Sequence, residues 1–271
     1  MSNVVWFDEP ECRDVAVAGG KGASLAAMNA EGLPVPPGFV VPSSLLAESV
    51  DAARLRELAI AGRHEEAQAL VRACTPPREA IAAEYDRLGG GLVAVRSSAC
   101  AEDSETASYA GQQETYLNVS GTDDVSRRVV DCWASFFSER ALFYRARKGS
   151  LEDLRMAVVV QQMVEPSKSG VLFTVDPVQR RRDRMVVEAV FGLGERVVSG
   201  DVTPDHYVLD RAGVCKRERL VNGGVLEADE LVTLAGLGRS LEERFGCPQD
   251  VEWAIADGEL YLLQSRPVTT L

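Results

Sequence analysis

Four polar residues near the C-terminus have the types and spacing of a metal and phosphate site. Asp250 and Glu252 lie in one alternating run, and Gln264 and Arg266 lie in the next. The pattern predicts a β-hairpin, and the two-residue period of a strand places each pair on one face. Carboxylate and amide oxygens suit a hard cation such as Mg²⁺, while a guanidinium fork suits phosphate. The alternative is an ordinary edge hairpin with a cross-strand ion pair.

The register of this hairpin decides whether the polar side chains meet. A two-residue turn at Asp257-Gly258 would pair Ala256 with Glu259. It would also send Gln264 to the opposite side of the sheet from Glu252. An odd loop or a bulge brings both onto one face, so we predict that the turn is not a plain two-residue turn.

Length and composition indicate a globular protein of one large or two modest domains, since 46% of the 271 residues are hydrophobic. The 29 basic and 41 acidic residues give a net charge of −12, so a nucleic-acid partner is not expected. The six cysteines lack metal or CxxC spacing and are predicted to be reduced. No leader pattern and no apolar run near about 20 residues occurs, which predicts a cytoplasmic chain without membrane contact.

A glycine-rich stretch near the N-terminus can form an anion site. Gly19, Gly20 and Gly22 are predicted to open a helix and to let the backbone approach a ligand. The first helix amides and the Lys21 ammonium would then point the same way. The spacing differs from that of a Walker A loop, and a plain N-terminal turn with a solvated lysine is the alternative.

Arg96 is the third candidate cation. It lies near the end of an apolar strand, 92–98, and a long loop of small and polar residues follows. Loops of this length are uncommon unless they are functional, so we interpret Arg96 as a phosphate clamp and residues 108–115 as a closing lid. The alternative is a disordered surface loop beside a structural arginine.

Taken together, these motifs resemble the N-terminal ATP-binding domain of the dikinase family that includes phosphoenolpyruvate synthase, pyruvate phosphate dikinase and rifampicin phosphotransferase. The resemblance covers nearly the whole chain and rests on the blocks Gly19-Gly-Lys-Gly-Ala-Ser-Leu25, Val35-Pro-Pro-Gly-Phe39, Val95-Arg-Ser-Ser98, Ala110-Gly-Gln-Gln-Glu-Thr115, Gly192-Leu-Gly-Glu195, Val198-Ser-Gly200 and Gln264-Ser-Arg-Pro267. It implies an α+β fold of the ATP-grasp type, with lobes at about 1–155 and 156–271 and the nucleotide in the cleft between them.

The resemblance also implies roles for the candidate cations and metal ligands. Lys21 and Arg96 would contact the phosphates of ATP, with Arg266 as a third catalytic cation. Glu252 and Gln264 would hold Mg²⁺, which is the grouping that the hairpin pattern also predicts. The loop over the phosphates would include Gly111, Gln112 and Thr115.

The remaining candidates concern the nucleoside and the histidines. By resemblance, adenine would be held through the backbone of Gln162, Met163 and Val164, although Met163 could instead be core. Glu188 would meet ribose hydroxyls or merely pair with an arginine, and Asp250 is counted with the nucleotide-binding residues. His206 is interpreted as structural and His64 as a solvated surface residue.

The implied chemistry is phosphoryl transfer from ATP with Mg²⁺. By resemblance, the β-phosphate would pass to a histidine on a separate protein, releasing AMP and phosphate, and a further protein would bind the final acceptor. Neither His64 nor His206 lies in a segment typical of a phosphohistidine. The alternatives are a self-contained kinase or ligase acting on a small molecule and a nucleotide-binding module without turnover.

Overall fold

The computed structural model of the chain describes residues 4–100, 114–194, 200 and 202–268. They form two compact units, made of Met1–Gly32 with Pro37–Met163 and of Leu33–Pro36 with Val164–Leu271. Each unit combines an antiparallel sheet with helices, in agreement with the α+β class that the resemblance implied. The sequence placed the division near residue 155. The first compact unit instead extends to Met163, because the strand that begins at Met156 is paired on both sides within the first sheet.

The first unit is built on a five-stranded sheet in the order β1-β2-β5-β3-β4. Its strands are β1 Val5–Trp6, β2 Gly38–Val41, β3 Val93–Ala99, β4 Thr115–Val119 and β5 Met156–Gln162. A 3-10 turn spans Pro10–Arg13, and the helices are α1 Val15–Ala30, α2 Ser44–Ser49, α3 Ala52–Ile60, α4 His64–Arg72, α5 Arg78–Arg87, α6 Thr122–Ser135 and α7 Glu139–Lys148.

The two faces of the first sheet are covered differently. Val95 and Val160 belong to a hydrophobic core shared with side chains of α2 to α7. Gly22 of α1 lies against Val40 and Val159, which are paired across the strands. Because neighbouring residues of a strand point to opposite faces, α1 covers the face opposite the large core.

The second unit contains a six-stranded sheet in the order β11-β10-β6-β7-β8-β9. Its strands are β6 Lys168–Phe173, β7 Arg184–Phe191, β8 Asp205–Asp210, β9 Cys215–Arg219, β10 Gln249–Ala256 and β11 Glu259–Pro267, and its helix is α8 Ala228–Phe245. The helix begins at a capping box formed by Glu227 and Glu230. Gly238 of α8 lies against Leu172 and Met185, so α8 covers the sheet face that carries these two residues.

Strands β10 and β11 form the predicted hairpin, but its turn differs from the predicted one. Ala256 pairs with Glu259. Asp257 has φ 51° and Gly258 has φ 80°, the left-handed backbone of a two-residue hairpin turn. The prediction against a plain two-residue turn is therefore wrong, because Asp and Gly at these positions adopt the turn that they commonly favour.

A bulge farther along the hairpin produces the predicted register. Trp253 pairs with Leu262, whereas Glu252 pairs with Gln264, so Leu263 is the additional residue of β11. An additional residue in one strand changes which side chains face each other. Glu252 and Gln264 consequently share a face, and the bulge alternative of the sequence analysis is confirmed.

All six cysteines are free thiols, as the sequence predicted. Burial, together with the nearby carboxylates of Glu9 and Asp8, raises the pKa of the Cys12 thiol to about 12. This thiol is therefore protonated near neutral pH. The helices in the described parts of the chain are each too short or too polar to cross a membrane.

Candidate nucleotide and metal site

A row of polar side chains crosses the second sheet on the face opposite α8. Glu252 pairs with Gln264 on one side and with Val171 on the other. Val171 pairs in turn with Glu188, and Glu188 pairs with His206. Directly paired residues of neighbouring strands point to the same face. These side chains therefore lie in one row across five strands, in which Val171 separates Glu252 from Glu188.

Asp250 and Arg266 form an ion pair on the same face, two residues along the hairpin from this row. The Nε and Nη2 atoms of Arg266 lie 2.8 and 2.7 Å from Oδ2 of Asp250. The Asp250 side chain is 11% exposed, whereas that of Arg266 is 48% exposed. The cross-strand ion pair that the sequence offered as the alternative to a metal and phosphate site is thus present. It orients the guanidinium while leaving part of this five-donor group at the surface, where phosphate can reach it.

The electrostatics of this face favour additional positive charge. Burial raises the pKa of the Asp250 carboxyl, Arg266 opposes the rise, and the negative charges of Glu252 and Glu188 add to it. The Asp250 carboxyl therefore ionises less readily than an ordinary exposed carboxyl, even with its arginine partner. A divalent cation bound near these carboxylates would stabilise their charged forms.

Glu252 and Gln264 are the residues that fit a magnesium ion. They are directly paired and present a carboxylate and an amide, which supply the hard oxygen donors that Mg²⁺ requires. Within the described ranges, no group of three or more His, Cys, Asp or Glu side chains is placed to hold a metal ion. Two protein ligands completed by phosphate oxygens and water match the usual arrangement for Mg²⁺ with a nucleotide.

Glu188 has a partner that the sequence analysis did not foresee. Nδ1 of His206 lies 3.5 Å from Oε1 of Glu188, with side-chain exposures of 25% and 34%. The charged partner of Glu188 is thus a histidine and not the arginine that the sequence analysis gave as the alternative. His206, interpreted from the sequence as structural, lies on the polar face in the same row as the metal candidates.

In the first unit, Lys21 lies on a helix that is broken at Gly19. Gly19 has φ 68° inside the span of α1, so regular helix resumes after it. A first short segment from Val15 ends at this break, and a second helical segment that carries Lys21 begins after it, so the glycines open that segment as the sequence predicted. Nζ of Lys21 donates a hydrogen bond of 2.9 Å to the carbonyl oxygen of Ser97. The lysine is thus held against β3 and is not simply solvated.

Ser98 joins the broken helix to β3 and was missed by the sequence analysis. Its Oγ donates to the carbonyl oxygen of Ala18 at 2.8 Å and accepts from the amide of Gly22 at 3.2 Å. A Cβ added to Gly19 would lie 2.1 Å from the carbonyl oxygen of Ser98. In the sequence Ser98 is noticeable only as part of a motif. Its partner Ala18 is 80 residues away, so no local pattern indicates their contact.

Arg96 lies on the same side of the first sheet as α1. It pairs with Val159, against which α1 packs, and with Thr115 on the other side. Arg96 is 7% exposed, whereas Thr115 is exposed. The structure therefore brings Lys21, Arg96 and Thr115 to one face of the sheet. The other predicted loop residues, Gly111 and Gln112, lie outside the described residues.

The three residues predicted to hold adenine lie in sequence where the first compact unit ends at Met163 and the second continues at Val164. The amide of Gln162 donates to the carbonyl oxygen of Pro37 at 2.9 Å, and the amide of Met163 donates to that of Leu92 at 3.0 Å. Val164 is the first residue after the division. A backbone contact with adenine would therefore use groups other than the amides of Gln162 and Met163, and this role stays a prediction.

The class of protein follows from a family of ATP-binding domains whose model matches most of this chain. The chain belongs to the family described as "Pyruvate phosphate dikinase, AMP/ATP-binding domain", which it matches over residues 15–222 and 213–271. Membership confirms the resemblance inferred from the sequence.

Three curated relatives illustrate the similarity. A probable phosphoenolpyruvate synthase from Methanothermobacter thermautotrophicus is 39% identical over 99% of this chain and 46% of its own length. A phosphoenolpyruvate synthase from Pyrococcus furiosus is 35% identical over 99% of this chain and 44% of its own length. A rifampicin phosphotransferase from Streptomyces sviceus is 42% identical over 99% of this chain and 36% of its own length. The chain thus spans less than half the length of each relative.

Proposed function

We propose that this chain binds ATP with Mg²⁺ and presents a phosphoryl group for transfer to a histidine outside its 271 residues. By family likeness the β-phosphate would be transferred, giving AMP and phosphate. The observation that carries the proposal is the pairing of Glu252 with Gln264 beside the Asp250–Arg266 ion pair. Bound Mg²⁺ would supply positive charge to the phosphates during transfer.

The cationic side chains would position the phosphates and stabilise the charge that develops on them. Arg266 presents part of its guanidinium at the surface, oriented by Asp250. Lys21 and Arg96 lie on one side of the first sheet, Lys21 on a broken helix bonded to β3 and Arg96 within β3. Thr115, paired with Arg96, would contact phosphate together with Gly111 and Gln112. Positioning and charge stabilisation are the main contributions that a protein makes to phosphoryl transfer.

The nucleoside would be bound through backbone groups and one carboxylate. We assign adenine to the backbone of Gln162, Met163 and Val164 and the ribose hydroxyls to Glu188. Strands of a sheet lie about 4.8 Å apart, so Glu188, two strands from Glu252, is about 10 Å from it. This separation is comparable with the span from the outer phosphates of ATP to its ribose.

The acceptor histidine is proposed to belong to another protein or domain, and a further one would bind the final acceptor. Of the two histidines in the chain, His64 begins α4 and His206 is paired with Glu188 inside the sheet. Both histidines thus belong to regular elements of the fold, whereas an acceptor histidine has to move between two sites. Water would be a poor substitute acceptor in a site that must exclude it.

Metal-dependent stabilisation by ATP tests the site. At about a hundred times its dissociation constant, ATP with Mg²⁺ should raise the free energy of unfolding by roughly 2.7 kcal/mol. Glu252→Ala and Gln264→Ala should each remove most of this increase. Glu259→Ala, a carboxylate change at the other end of the same hairpin, should retain it. A thermal shift that persists unchanged in both site variants would refute the metal assignment.

Product analysis tests the reaction. We expect the purified chain to consume labelled ATP slowly when alone and to form AMP rapidly when a protein with the acceptor histidine is added. Rapid AMP formation by the isolated chain that His206→Ala abolishes would show that the chain carries its own acceptor. Rapid ADP formation with a small-molecule acceptor would show a self-contained kinase instead.

A further inference from the structure

His206 contacts Glu188 but has no role in the function proposed above. The two residues are direct cross-strand partners on β8 and β7, and Nδ1 of His206 lies 3.5 Å from Oε1 of Glu188. Both side chains are partly exposed, at 25% and 34%. The pair is therefore accessible on the polar face and is not buried among core residues.

The surroundings of His206 give it a definite orientation. Glu188 lies on one side of it, and on the other side its direct partner is the exposed Arg219 of β9. The other charged groups of this face are Glu252 in the same row and the Asp250–Arg266 ion pair. Nδ1 of His206 lies 3.5 Å from Oε1 of Glu188, so a proton on this ring nitrogen can be donated to the carboxylate.

Asp205, which precedes His206, fixes the start of the strand that carries the ring. Its buried carboxylate accepts hydrogen bonds from the backbone of Val221, Asn222, Gly224 and Val225. The ring is therefore mounted on an anchored strand, whereas a surface histidine on a loop would be free to reorient. A histidine on an anchored strand can therefore fix the orientation of the side chain that it contacts.

We propose that His206 is a positioning residue for nucleotide recognition: it holds the Glu188 carboxylate in the orientation that accepts hydrogen bonds from the ribose hydroxyls of ATP. The inference rests on the proposed function, because it requires that ATP binds this face with its ribose at Glu188. Engaging Oε1 of Glu188 restricts rotation of the carboxylate and leaves Oε2 for the sugar. An ordered acceptor loses less conformational freedom on binding, which increases affinity for a ligand that carries the hydroxyls.

Ribose discrimination is the measurement that separates this role from a purely structural one. Calorimetric titration should show that the wild-type chain with Mg²⁺ binds ATP at least about tenfold more tightly than 2′,3′-dideoxyATP, as expected for hydrogen bonds to a carboxylate. Glu188→Val should abolish the preference. His206→Val should reduce it to about twofold, and His206→Gln, which retains a donor, should restore most of it. Valine is chosen because it suits a strand.

Two controls make the result specific. Each preference is a ratio of two affinities measured on one sample, so a partly unfolded fraction cancels. His64→Gln should leave the preference at its wild-type value. In a Glu188→Val background, His206→Val should cause no further change, because its effect passes through Glu188.

The outcomes distinguish the inference from the function on which it rests. If His206→Val keeps the wild-type preference while Glu188→Val loses it, His206 does not position Glu188 and the inference fails alone. If the wild-type chain binds ATP without ribose preference, the assignment of ribose to Glu188 fails with it. If the wild-type chain does not bind ATP, the proposed function itself is overturned.

Discussion

The two compact units hold their candidate phosphate-binding cations by different means. In the first, Lys21 follows a break at Gly19 and is bonded to the backbone of β3. In the second, Arg266 is placed by strand pairing and by its ion pair with Asp250. The first arrangement depends on one residue with unusual backbone geometry, whereas the second is distributed over a ladder of hydrogen bonds. We therefore expect single substitutions to disrupt the first far more readily.

The largest effect is expected for Gly19→Ala. The positive φ of 68° disfavours any side chain, and the new Cβ would lie 2.1 Å from a backbone oxygen of Ser98. The conformational cost of about 1 kcal/mol combines with steric overlap that backbone must relieve, so we expect a loss of about 3 kcal/mol or more. Equilibrium unfolding in denaturant measures the loss, and the affinity for ATP should fall with it.

Gly32→Ala is the matched control for this substitution. Gly32 also has a positive φ, 71°, but an added Cβ would meet nothing within 4 Å. Only the conformational cost of about 1 kcal/mol should then remain. Equal losses for the two variants would show that the contact between Gly19 and β3 does not stabilise the first unit.

The second unit has its own buried polar contact, and Asp205→Asn tests it. Burial of the Asp205 carboxyl opposes ionisation, but hydrogen bonds from the amides of Asn222, Val221, Val225 and Gly224 outweigh it and lower its pKa. An asparagine can accept from only part of this set and places a donor against the rest. We expect a loss of about 2 to 3 kcal/mol at neutral pH in the free energy of unfolding.

The pH dependence of this loss follows from the lowered pKa. Between the folded and unfolded pKa values, the unfolded chain binds more protons, so Asp205 stabilises the fold above its ordinary pKa near about 4 and loses this effect as pH falls. The difference between wild type and Asp205→Asn should therefore shrink below about pH 4. Asp183→Asn, in an exposed pair with Arg181, should change little at any pH. A difference that stays constant down to pH 2 would contradict the linkage.

Ser98→Ala tests the contact that joins α1 to β3 without adding a side chain. The carbonyl oxygen of Ala18 and the amide of Gly22 would lose a buried partner, which should cost about 1 to 3 kcal/mol. If Ser98 affects ATP only by placing Lys21, Ser98→Ala should weaken binding of ATP and leave binding of adenosine unchanged. In a Lys21→Ala background it should not weaken ATP binding further. Additive losses in the double variant would contradict that route.

The sequence predicted the second unit's arrangement better than the first because strand geometry is periodic. A two-residue period placed Asp250 with Glu252 and Gln264 with Arg266, and a bulge was one of the two alternatives that could bring these pairs together. The position of the bulge was not predictable, because no local sequence pattern indicates which residue of β11 is the additional one. The contact of Lys21 with β3 joins residues 76 apart in sequence, and no local pattern indicates it.

The smallest effect is expected at the hairpin turn, where Gly258→Ala tests how far the second arrangement is independent of a single glycine. Gly258 has φ 80°, and an added Cβ would meet nothing within 4 Å, so the cost should be only about 1 kcal/mol. The pairing of Glu252 with Gln264 should survive, because β10 is also paired with β6 from Asp250 to Ile255 and the bulge lies several residues from the turn. Stabilisation by ATP with Mg²⁺ should therefore equal that of the wild type when each is measured relative to its own unliganded state. If Gly258→Ala removed this stabilisation, the turn would be setting the register of the metal ligands, and the contrast between the two units would be wrong.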